Sequence, residues 1–432
     1  MHVLVFSYYW PPAGGPGVQR WVKMCNHLIE SGTRVTVITV RNGSYPAIDH
    51  SLEEELHPDI HVIKTRTIEP FGIFNALQGK KGKGSSVGMI GLDSNASLFK
   101  RMAIWVRANW LIPDARRFWK NYALNAASKI IGRSDVTHII TTGPPHSTHM
   151  IGLELKRKFQ LPWIADLRDP WVNIHYHDIF PLTDATRKKH LALETQVLSE
   201  ADHVTVVSEG MKREFENRAK GISVVFNGYD DADMLTDAIR EKDTFTIRYI
   251  GNLKPNQEVE AFNRALSQCV REIDGFQQEV RLQLIGNKDP GLLDRLASQD
   301  RSELIQSIEP VNHERAVGYM KGAELLLFII PKASNNKLII TGKLFEYLAS
   351  RTPILAIGPS DGDAAEILRR AKNIPMYDYT DSTGITEAIR GHYGAWKEAL
   401  PREGGDAGRI AQFSRKNQTS IVRGILADLQ EA

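Results

Sequence analysis

Short apolar runs recur along the chain, and each is followed by a polar or glycine-rich loop and then by a segment with helical periodicity. Runs such as those at 3–6, 34–40 and 138–143 are typical of strands buried on both faces of a parallel sheet. Segments 18–30 and 146–159 predict helices that connect such strands. The first half of the chain therefore predicts βαβ units around a parallel sheet.

An acidic and polar stretch at 229–244 interrupts this alternation, and we interpret it as a linker. The pattern then resumes, with strands predicted at 245–253, 281–286, 324–330 and 352–358 and helices at 256–274, 290–299 and 341–350. This predicts an α/β protein with two doubly wound, Rossmann-like parallel-sheet domains facing a cleft, and ligands beyond the carboxyl ends of the strands. We predict domains over 1–235 and 244–400, and a C-terminal helix over 409–432 as a candidate to pack back on the first domain.

Residues 72–131 form a basic and aromatic insertion in the first predicted domain. The window 80–133 holds eleven Lys or Arg and two Asp, whereas the net charge of the whole chain is only +3. Trp, Phe and Leu beside Arg and Lys at 98–120 indicate a helix that rests on an anionic membrane surface. The alternative is that the aromatic side chains pack on the first domain and the charges are solvated. The near-neutral total gives no indication of nucleic acid as a partner.

The composition is that of a globular protein, with 42% hydrophobic and 24% charged residues. The two cysteines, Cys25 and Cys269, are far apart and predict neither a disulfide framework nor a metal centre. No run of 18 apolar residues is present, and residues 1–12 read as a first buried strand rather than a signal peptide. We therefore expect a cytoplasmic protein, peripheral on the inner face of the cell membrane if the basic insertion binds lipid.

The richest group of polar residues follows the strand predicted at 324–330. Lys337 lies in the loop, Thr341 and Gly342 begin the next helix, and Lys343 and Glu346 share one helix face. Free backbone N–H groups at the helix start, together with a lysine, can hold a diphosphate. A carboxylate one turn further can accept both hydroxyls of a ribose. The alternative is an ordinary capped helix with an ion pair between the lysine and the glutamate.

Two loops in the first half are also candidates. Gly14 and Gly15 follow the first strand, where they let the backbone approach a ligand at a helix start. The spacing matches neither the dinucleotide nor the Walker fingerprint, so a simple turn with positive φ is the alternative. His146, after Gly143-Pro144-Pro145, can donate a hydrogen bond to an acceptor or a phosphate, or be a solvated residue of a first helical turn.

Charged residues end the strand predicted within 162–169. Strand alternation sends Asp166 and Arg168 to one side and Asp169 to the other. One carboxylate would pair with Arg168, and the other would orient or deprotonate an acceptor hydroxyl, a role for which we favour Asp169. The alternative is a strand-end salt bridge without a catalytic role.

Seven segments together carry a resemblance to a known family. They are FSYYWPPAGGPGVQR (6–20), TTGPPHSTH (141–149), DLRDPW (166–171), VVSEGM (206–211), VFNGYD (225–230), YIGNL (249–253) and TGKLFEYLASRTPILAIGP (341–359). In this order and spacing the chain resembles the retaining, GT-B-fold glycosyltransferases of family 4, and more narrowly a bacterial branch of them. The resemblance covers nearly the whole length.

The resemblance implies a glycosyltransferase of polysaccharide biosynthesis. It implies transfer from a nucleoside-diphosphate sugar to a glycan, lipid-linked or small-molecule acceptor, with retention of configuration. It also implies that no metal and no cofactor are needed, and the alternating His175 and His177 lack the context of a metal site.

The resemblance also implies roles for individual residues. The predicted donor side comprises Gly14, Gly15, Asn227, Gly228, Gly251, Asn252, Lys254, Lys337, Thr341, Gly342, Lys343 and Glu346. The predicted acceptor side comprises Asp166, Arg168, Asp169 and His146. Asp169, His146 and Lys343 are the predicted catalytic residues.

Two departures from the family pattern qualify these roles. Leu338 stands where the family has the first carboxylate of its Glu-x7-Glu motif, of which Glu346 matches the second. Asn252 stands at the position of an expected arginine, and Lys254 is only an approximate stand-in for the lysine. Lys343, Lys337 or Lys254 is then left to neutralise the negative charge of the diphosphate. The alternative functions are a nucleotide-sugar epimerase or pyridoxal-dependent phosphorylase on the same scaffold, and a non-catalytic nucleotide-binding scaffold.

Overall fold

The chain divides into two compact units, one of residues 1–227 with 418–432 and one of residues 228–417. The computed structural model describes residues 1–69, 98–173, 180–257, 259–296, 301–372, 374–402 and 404–431. Residues 72–97 of the basic insertion, which include Lys80, Lys81 and Lys83, and the histidines at 175 and 177 lie outside the described residues.

The first unit is built on a seven-stranded parallel sheet with the order β3-β2-β1-β4-β5-β6-β7. Its strands are β1 His2–Phe6, β2 Arg34–Val40, β3 His61–Thr65, β4 His138–Gly143, β5 Trp163–Leu167, β6 His203–Val206 and β7 Ile222–Val224. Its helices are α1 Pro16–Glu30, α2 Ser51–Glu54, α3 Leu98–Trp110, α4 Lys120–Ile131, α5 His149–Phe159, α6 Asp184–Glu200 and α7 Glu209–Phe215.

Apolar side chains cover both faces of this sheet. Along β1, Leu4 and Phe6 belong to a core with α4 and α5, whereas Val3 and Val5 belong to a core with α1. The second core also contains Leu426 of the C-terminal helix, whose residues from 418 onward belong to this unit. Both faces of the central strand are therefore covered by helices, which explains its uninterrupted apolar sequence.

The second unit is built on a six-stranded parallel sheet with the order β10-β9-β8-β11-β12-β13. Its strands are β8 Phe245–Ile250, β9 Val280–Ile285, β10 Ile305–Ile308, β11 Leu325–Ile329, β12 Ile354–Ile357 and β13 Met376–Tyr377. Its helices are α8 Glu260–Glu272, α9 Phe276–Glu279, α10 Pro290–Leu296, α11 His313–Gly322, α12 Gly342–Ala349, α13 Asp363–Lys372, α14 Ser382–Lys397 and α15 Ala407–Ala411, and α16 Arg415–Glu431 begins in it.

The strand order reverses once in each sheet, between β1 and β4 in the first and between β8 and β11 in the second. At such a switch point the loops after the two strands diverge toward opposite faces and open a crevice at the carboxyl edge. The prediction of two doubly wound parallel-sheet domains is confirmed. Among the described residues, no helix is long and apolar enough to cross a bilayer.

Candidate functional site

The glycine loop of the first unit ends at the start of α1. Gly15 precedes the helix with φ 115°, a conformation that favours glycine, and Pro16 takes the first helical position, where its missing N–H costs little. The N–H of Gly14 donates to the carbonyl of Ala47 at 3.0 Å, which ties the loop to the segment after β2. The loop therefore contains a turn with positive φ at Gly15, and the predicted approach of a ligand to Gly14 and Gly15 stays a prediction.

Arg168 joins the loops on both sides of the first switch point. Its Nε and Nη2 donate to the carbonyls of Gly143 and Pro144 at 3.2 and 2.8 Å, in the loop after β4. A Cβ on Gly17, in the first turn of α1, would lie 1.4 Å from Nη1 of Arg168. Position 17 therefore has to be glycine for the guanidinium to occupy this place.

Asp166 lies in the interior of the first unit, where its hydrogen bonds link several elements. Its side chain is fully buried and accepts hydrogen bonds from Arg20 Nη2 at 3.0 Å and from Trp21 Nε1, Thr142 Oγ1 and Thr205 Oγ1 at 2.8 Å each. Burial alone would raise the pKa of Asp166, but the positive charges of Arg20 and Arg168 and these hydrogen bonds outweigh burial and lower it.

The sequence left open which carboxylate would be structural. Asp166 forms its ion pair with Arg20, from α1, and so it joins α1, β4 and β6 to the end of β5. Its oxygens are committed to interior partners, which does not suit the predicted acceptor-side role. Asp169 is partly exposed, so it is the carboxylate of DLRDPW that we keep as the acceptor-side candidate.

His146 is buried rather than solvated. Its ring stacks on Trp171 with centroids 4.8 Å apart and planes 8° apart. The next residue, Ser147, donates from its N–H and its hydroxyl to Asp114 at 2.8 and 2.7 Å, which fixes the loop after β4. No local pattern in the sequence indicates that Asp114, inside the basic insertion, accepts these hydrogen bonds from the loop.

His149 is a second buried histidine that we did not single out from the sequence. Its Nδ1 lies 2.9 Å from the hydroxyl of Thr141, and burial lowers its pKa to about 3. The ring is therefore neutral at physiological pH. A Cβ on Gly143 would lie 2.5 Å from its Nε2, so the histidine also explains that glycine.

Helix α12 of the second unit begins at the second switch point. Thr341 precedes the helix in an extended conformation, and its hydroxyl forms no capping hydrogen bond with the helix. Within the part of the chain that the structure describes, the buried Oγ1 of Thr341 has no hydrogen-bond partner. The first N–H groups of any helix also lack partners inside the helix, so this end offers donors to a ligand.

Lys343 reaches from α12 to the end of β8. Its Nζ lies 2.8 Å from the hydroxyl of Tyr249 and 4.0 Å from the centroid of that ring. A Cβ on Gly251, which has φ 120°, would lie 3.0 Å from the same Nζ. Burial lowers the pKa of Lys343 to about 7. The lysine thus joins α12, the helix that follows β11, to the end of β8, the neighbour of β11 at the switch point.

Glu346 lies one turn further along α12, and its side chain is 16% exposed. Its Oε1 is 4.0 Å from Nε2 of His313, which is in turn 3.1 Å from Oδ2 of Asp233. Burial raises the pKa of Glu346, against the opposing charges of His313 and Arg415. The hydrogen bond to Asp233 raises the pKa of His313, which favours the charged form of the imidazole beside Glu346. These three neighbours come from distant parts of the chain, and no local pattern in the sequence indicates them.

The other donor-side residues differ in their surroundings. The ammonium of Lys337 forms an ion pair with the exposed Asp361, and Lys254 is exposed. Asn252 is exposed and accepts a hydrogen bond from Asn287 at 3.1 Å. Of the three lysines proposed to bind the diphosphate, we therefore favour Lys343, because its side chain is fixed at the switch point.

The turn at residues 227–228 follows β7. Gly228 has φ 63°, and a Cβ there would lie 2.7 Å from the carbonyl oxygen of Phe413. The glycine is thus explained by backbone packing, and Asn227 beside it is partly exposed.

No family model matches this sequence, and no curated protein matches it. Solved structures match along its whole length. A sucrose-phosphate synthase from Thermosynechococcus elongatus is 16% identical, with 99% of this chain and 98% of that chain covered and a TM-score of 0.61. A glycosyltransferase from Rickettsia africae ESF-5 is 12% identical, with 99% and 98% covered and a TM-score of 0.60. A structure described as trehalose-6-phosphate from E. coli bound with UDP-2-fluoro glucose is 12% identical, with 100% and 99% covered and a TM-score of 0.62.

These similarities and the two parallel sheets define the class: the protein has the two-domain, Rossmann-like GT-B fold. At 12–16% identity they establish the fold, and membership of family 4 stays a prediction.

Proposed function

We propose that the protein is a retaining glycosyltransferase of polysaccharide biosynthesis, which moves a sugar from a nucleoside-diphosphate sugar to a glycan, lipid-linked or small-molecule acceptor. The observation that carries this proposal is the presence of Lys343 and Glu346 on one helix at the switch point of the second sheet. The GT-B fold supports it, as does the UDP-2-fluoro glucose bound by the E. coli structure.

In this proposal the second unit binds the donor. The N–H groups at the start of α12 and the hydroxyl of Thr341 donate to the diphosphate, beside Lys343. Glu346, held by His313, accepts the ribose hydroxyls. Negative charge grows on the diphosphate as the glycosidic bond breaks, so donors aimed at it stabilise the transition state more than the bound substrate. This requires no metal and no cofactor.

The first unit supplies the acceptor-side residues. Asp169 orients or deprotonates the acceptor hydroxyl, and His146, held by its stack on Trp171, contributes a hydrogen bond. Arg168, which links the loops of the first switch point, adds positive charge beside the glycine loop. No protein side chain forms a covalent intermediate in this proposal, and the acceptor attacks from the face that the diphosphate leaves.

A thermal-shift screen of the full chain against UDP, GDP, ADP and their sugar conjugates tests the proposal. A nucleotide present at 100 times its dissociation constant adds about 2.7 kcal/mol to the free energy of unfolding. We expect Glu346→Gln to lower the affinity about tenfold to a hundredfold, because it loses charged hydrogen bonds to the ribose. The matched control, Glu366→Gln on the exposed face of α13, keeps the wild-type affinity.

Incubation of the nucleotide sugar that binds separates the alternatives. Release of nucleoside diphosphate only when an acceptor glycan is added supports the transferase. A new nucleotide sugar without any acceptor contradicts it and indicates an epimerase. Binding without turnover under either condition indicates a non-catalytic scaffold. If no nucleotide binds, the proposed glycosyltransferase function is wrong.

We also propose that the basic insertion docks the enzyme on an anionic membrane surface. On α3 the side chains of Met102, Trp105 and Trp110 are 59%, 41% and 68% exposed, and Arg101 is exposed beside them. Trp119, by contrast, is buried in the core of the first unit. The aromatic residues of the insertion therefore divide between packing and exposure, and the exposed ones lie beside basic residues, as on interfacial helices.

Co-sedimentation with vesicles that contain phosphatidylglycerol tests this docking. Each basic residue near such a surface contributes about 1 kcal/mol, so we expect Arg101→Glu with Arg107→Glu to lower vesicle binding at least about tenfold. The control is Arg264→Glu with Arg271→Glu, on α8 of the second unit. Equal binding of both double variants and the wild type contradicts the lipid proposal.

A further inference from the structure

The amine of Lys343 lies in a setting that disfavours its charged form. Its hydrogen bond is to a neutral phenol, that of Tyr249, which is itself 1% exposed. Among the described residues, no carboxylate lies within ion-pair distance of its Nζ. Lys343 is only partly exposed, and an ammonium with restricted access to water and a single neutral acceptor is less stable than one in solvent, so the pKa of the lysine falls.

Hydrogen bonds orient the hydroxyl of Tyr249 so that one lone pair of its oxygen faces the amine of Lys343. Its hydroxyl donates to the carbonyl of Asn252 at 2.9 Å and accepts from Nε2 of Gln257 at 2.9 Å. The orientation of the Gln257 amide is set in turn, because its oxygen accepts from the N–H of Lys254 at 2.7 Å. The phenol proton is therefore already committed when Lys343 approaches.

The charged groups around the amine act in opposite directions. Glu346, on the same helix, favours the charged form, whereas Lys254, after β8, disfavours it. Glu346 also interacts with the positive charges of His313 and Arg415. Tyr347, the next residue after Glu346, is fully buried, and its hydroxyl accepts the N–H of Ile250 at 2.9 Å. Burial outweighs the attraction of Glu346, and the pKa of Lys343 falls to about 7.

We propose that the second unit takes up a proton when it binds the diphosphate of a nucleotide, that Lys343 receives the proton, and that Tyr249 is the positioning residue that holds the amine ready for it. The choice of ligand rests on the proposed function. The proton comes from solvent and adds to the amine lone pair, and no covalent bond to the nucleotide forms. The diphosphate supplies the negative charge that the empty site lacks, so the ammonium becomes the stable form once the ligand is bound.

The proposal predicts how the affinity for the nucleotide depends on pH. Below pH 7 the free amine is already protonated, and binding takes up no proton at Lys343. Above pH 7 the free form is neutral and the bound form is charged, so affinity falls as the pH rises, by up to about tenfold per unit. This fall continues until the pH reaches the higher pKa of the bound form.

Isothermal titration calorimetry of the full chain with UDP, GDP and ADP tests the proposal, at pH 8 and in buffers with different ionisation enthalpies. We expect close to one proton taken up per nucleotide bound, from the dependence of the binding enthalpy on the buffer. Lys343→Arg, which carries a permanent charge, binds without this uptake, and Lys343→Met binds more weakly and also without it. The control, Lys397→Met on α14, behaves as the wild type.

Tyr249→Phe separates positioning from packing, because it keeps the ring and removes the oxygen that stabilises the ammonium. We expect the decline in affinity to begin at a lower pH than in the wild type, while affinity at pH 6 changes by no more than a few-fold. An unchanged pH profile overturns the role of Tyr249. Tight nucleotide binding without proton uptake overturns the coupling and leaves the proposed function standing, whereas binding of no nucleotide overturns both.

Discussion

Replacement of Lys343 by methionine lowers the turnover of the nucleotide sugar by about 10²–10³-fold, which corresponds to about 2.7–4 kcal/mol of lost transition-state stabilisation. Methionine keeps the length of the side chain and its packing on Tyr249 but removes the cation. The amine is fixed at the end of β8, where it can meet the charge that develops on the departing diphosphate. We therefore expect the loss to appear in kcat more than in KM.

Steady-state kinetics at pH 6.5 check this, since Lys343 is then largely protonated in the wild type. Lys397→Met is the matched control, because that lysine pairs with Glu279 on the surface of the same unit. We expect its kinetic constants to stay within a factor of two of the wild type. Wild-type turnover in Lys343→Met would place the diphosphate elsewhere, with Lys254 and Lys337 as the remaining candidates.

The central strands of both sheets could be predicted from the sequence, whereas β10 and β13, the edge strands of the second sheet, could not. β1, β2 and β4 are buried on both faces, and their apolar runs predicted them at or near their observed bounds. β10 has the sequence IQSI with Gln306 and Ser307 exposed, and β13 has only two residues. An edge strand needs less apolar sequence because one side of it meets water, so its signal is weak.

The candidate site was predictable where its residues are adjacent in sequence. Thr341, Gly342, Lys343 and Glu346 lie within two turns of one helix, so helical spacing alone puts the last two on one face. Their partners come from β8, from α11 and from the segment around Asp233. Spacing in the sequence carries no information on such long-range contacts. The sequence could not decide between a structural and an acceptor-side Asp166 for the same reason, because Arg20 lies 146 positions away.

Replacement of Asp166 by asparagine lowers the free energy of unfolding of the first unit by about 3–5 kcal/mol. The change is nearly isosteric, so the cost is electrostatic: it leaves the fully buried Arg20 without its carboxylate. The new amide also keeps only one acceptor oxygen, so its NH2 group faces either the donors Trp21 and Thr142, at the position of Oδ2, or the donors Arg20 and Thr205, at the position of Oδ1. Asp135→Asn is the control, because Asp135 is exposed and its surface ion pair with Arg34 contributes little to stability.

Urea unfolding followed by tryptophan fluorescence measures this loss selectively, because seven of the eight tryptophans belong to the first unit. The pKa of Asp166 is lowered in the folded protein, so its contribution is complete above about pH 4, near the unfolded value, and is lost as the pH falls through the folded one. The paired variant Asp166→Leu with Arg20→Met removes both charges at once, so we expect it to be more stable than Asp166→Asn. If Asp166→Asn is as stable as Asp135→Asn, the buried ion pair does not hold α1 to the sheet. Asp166 then becomes a candidate acceptor-side residue again.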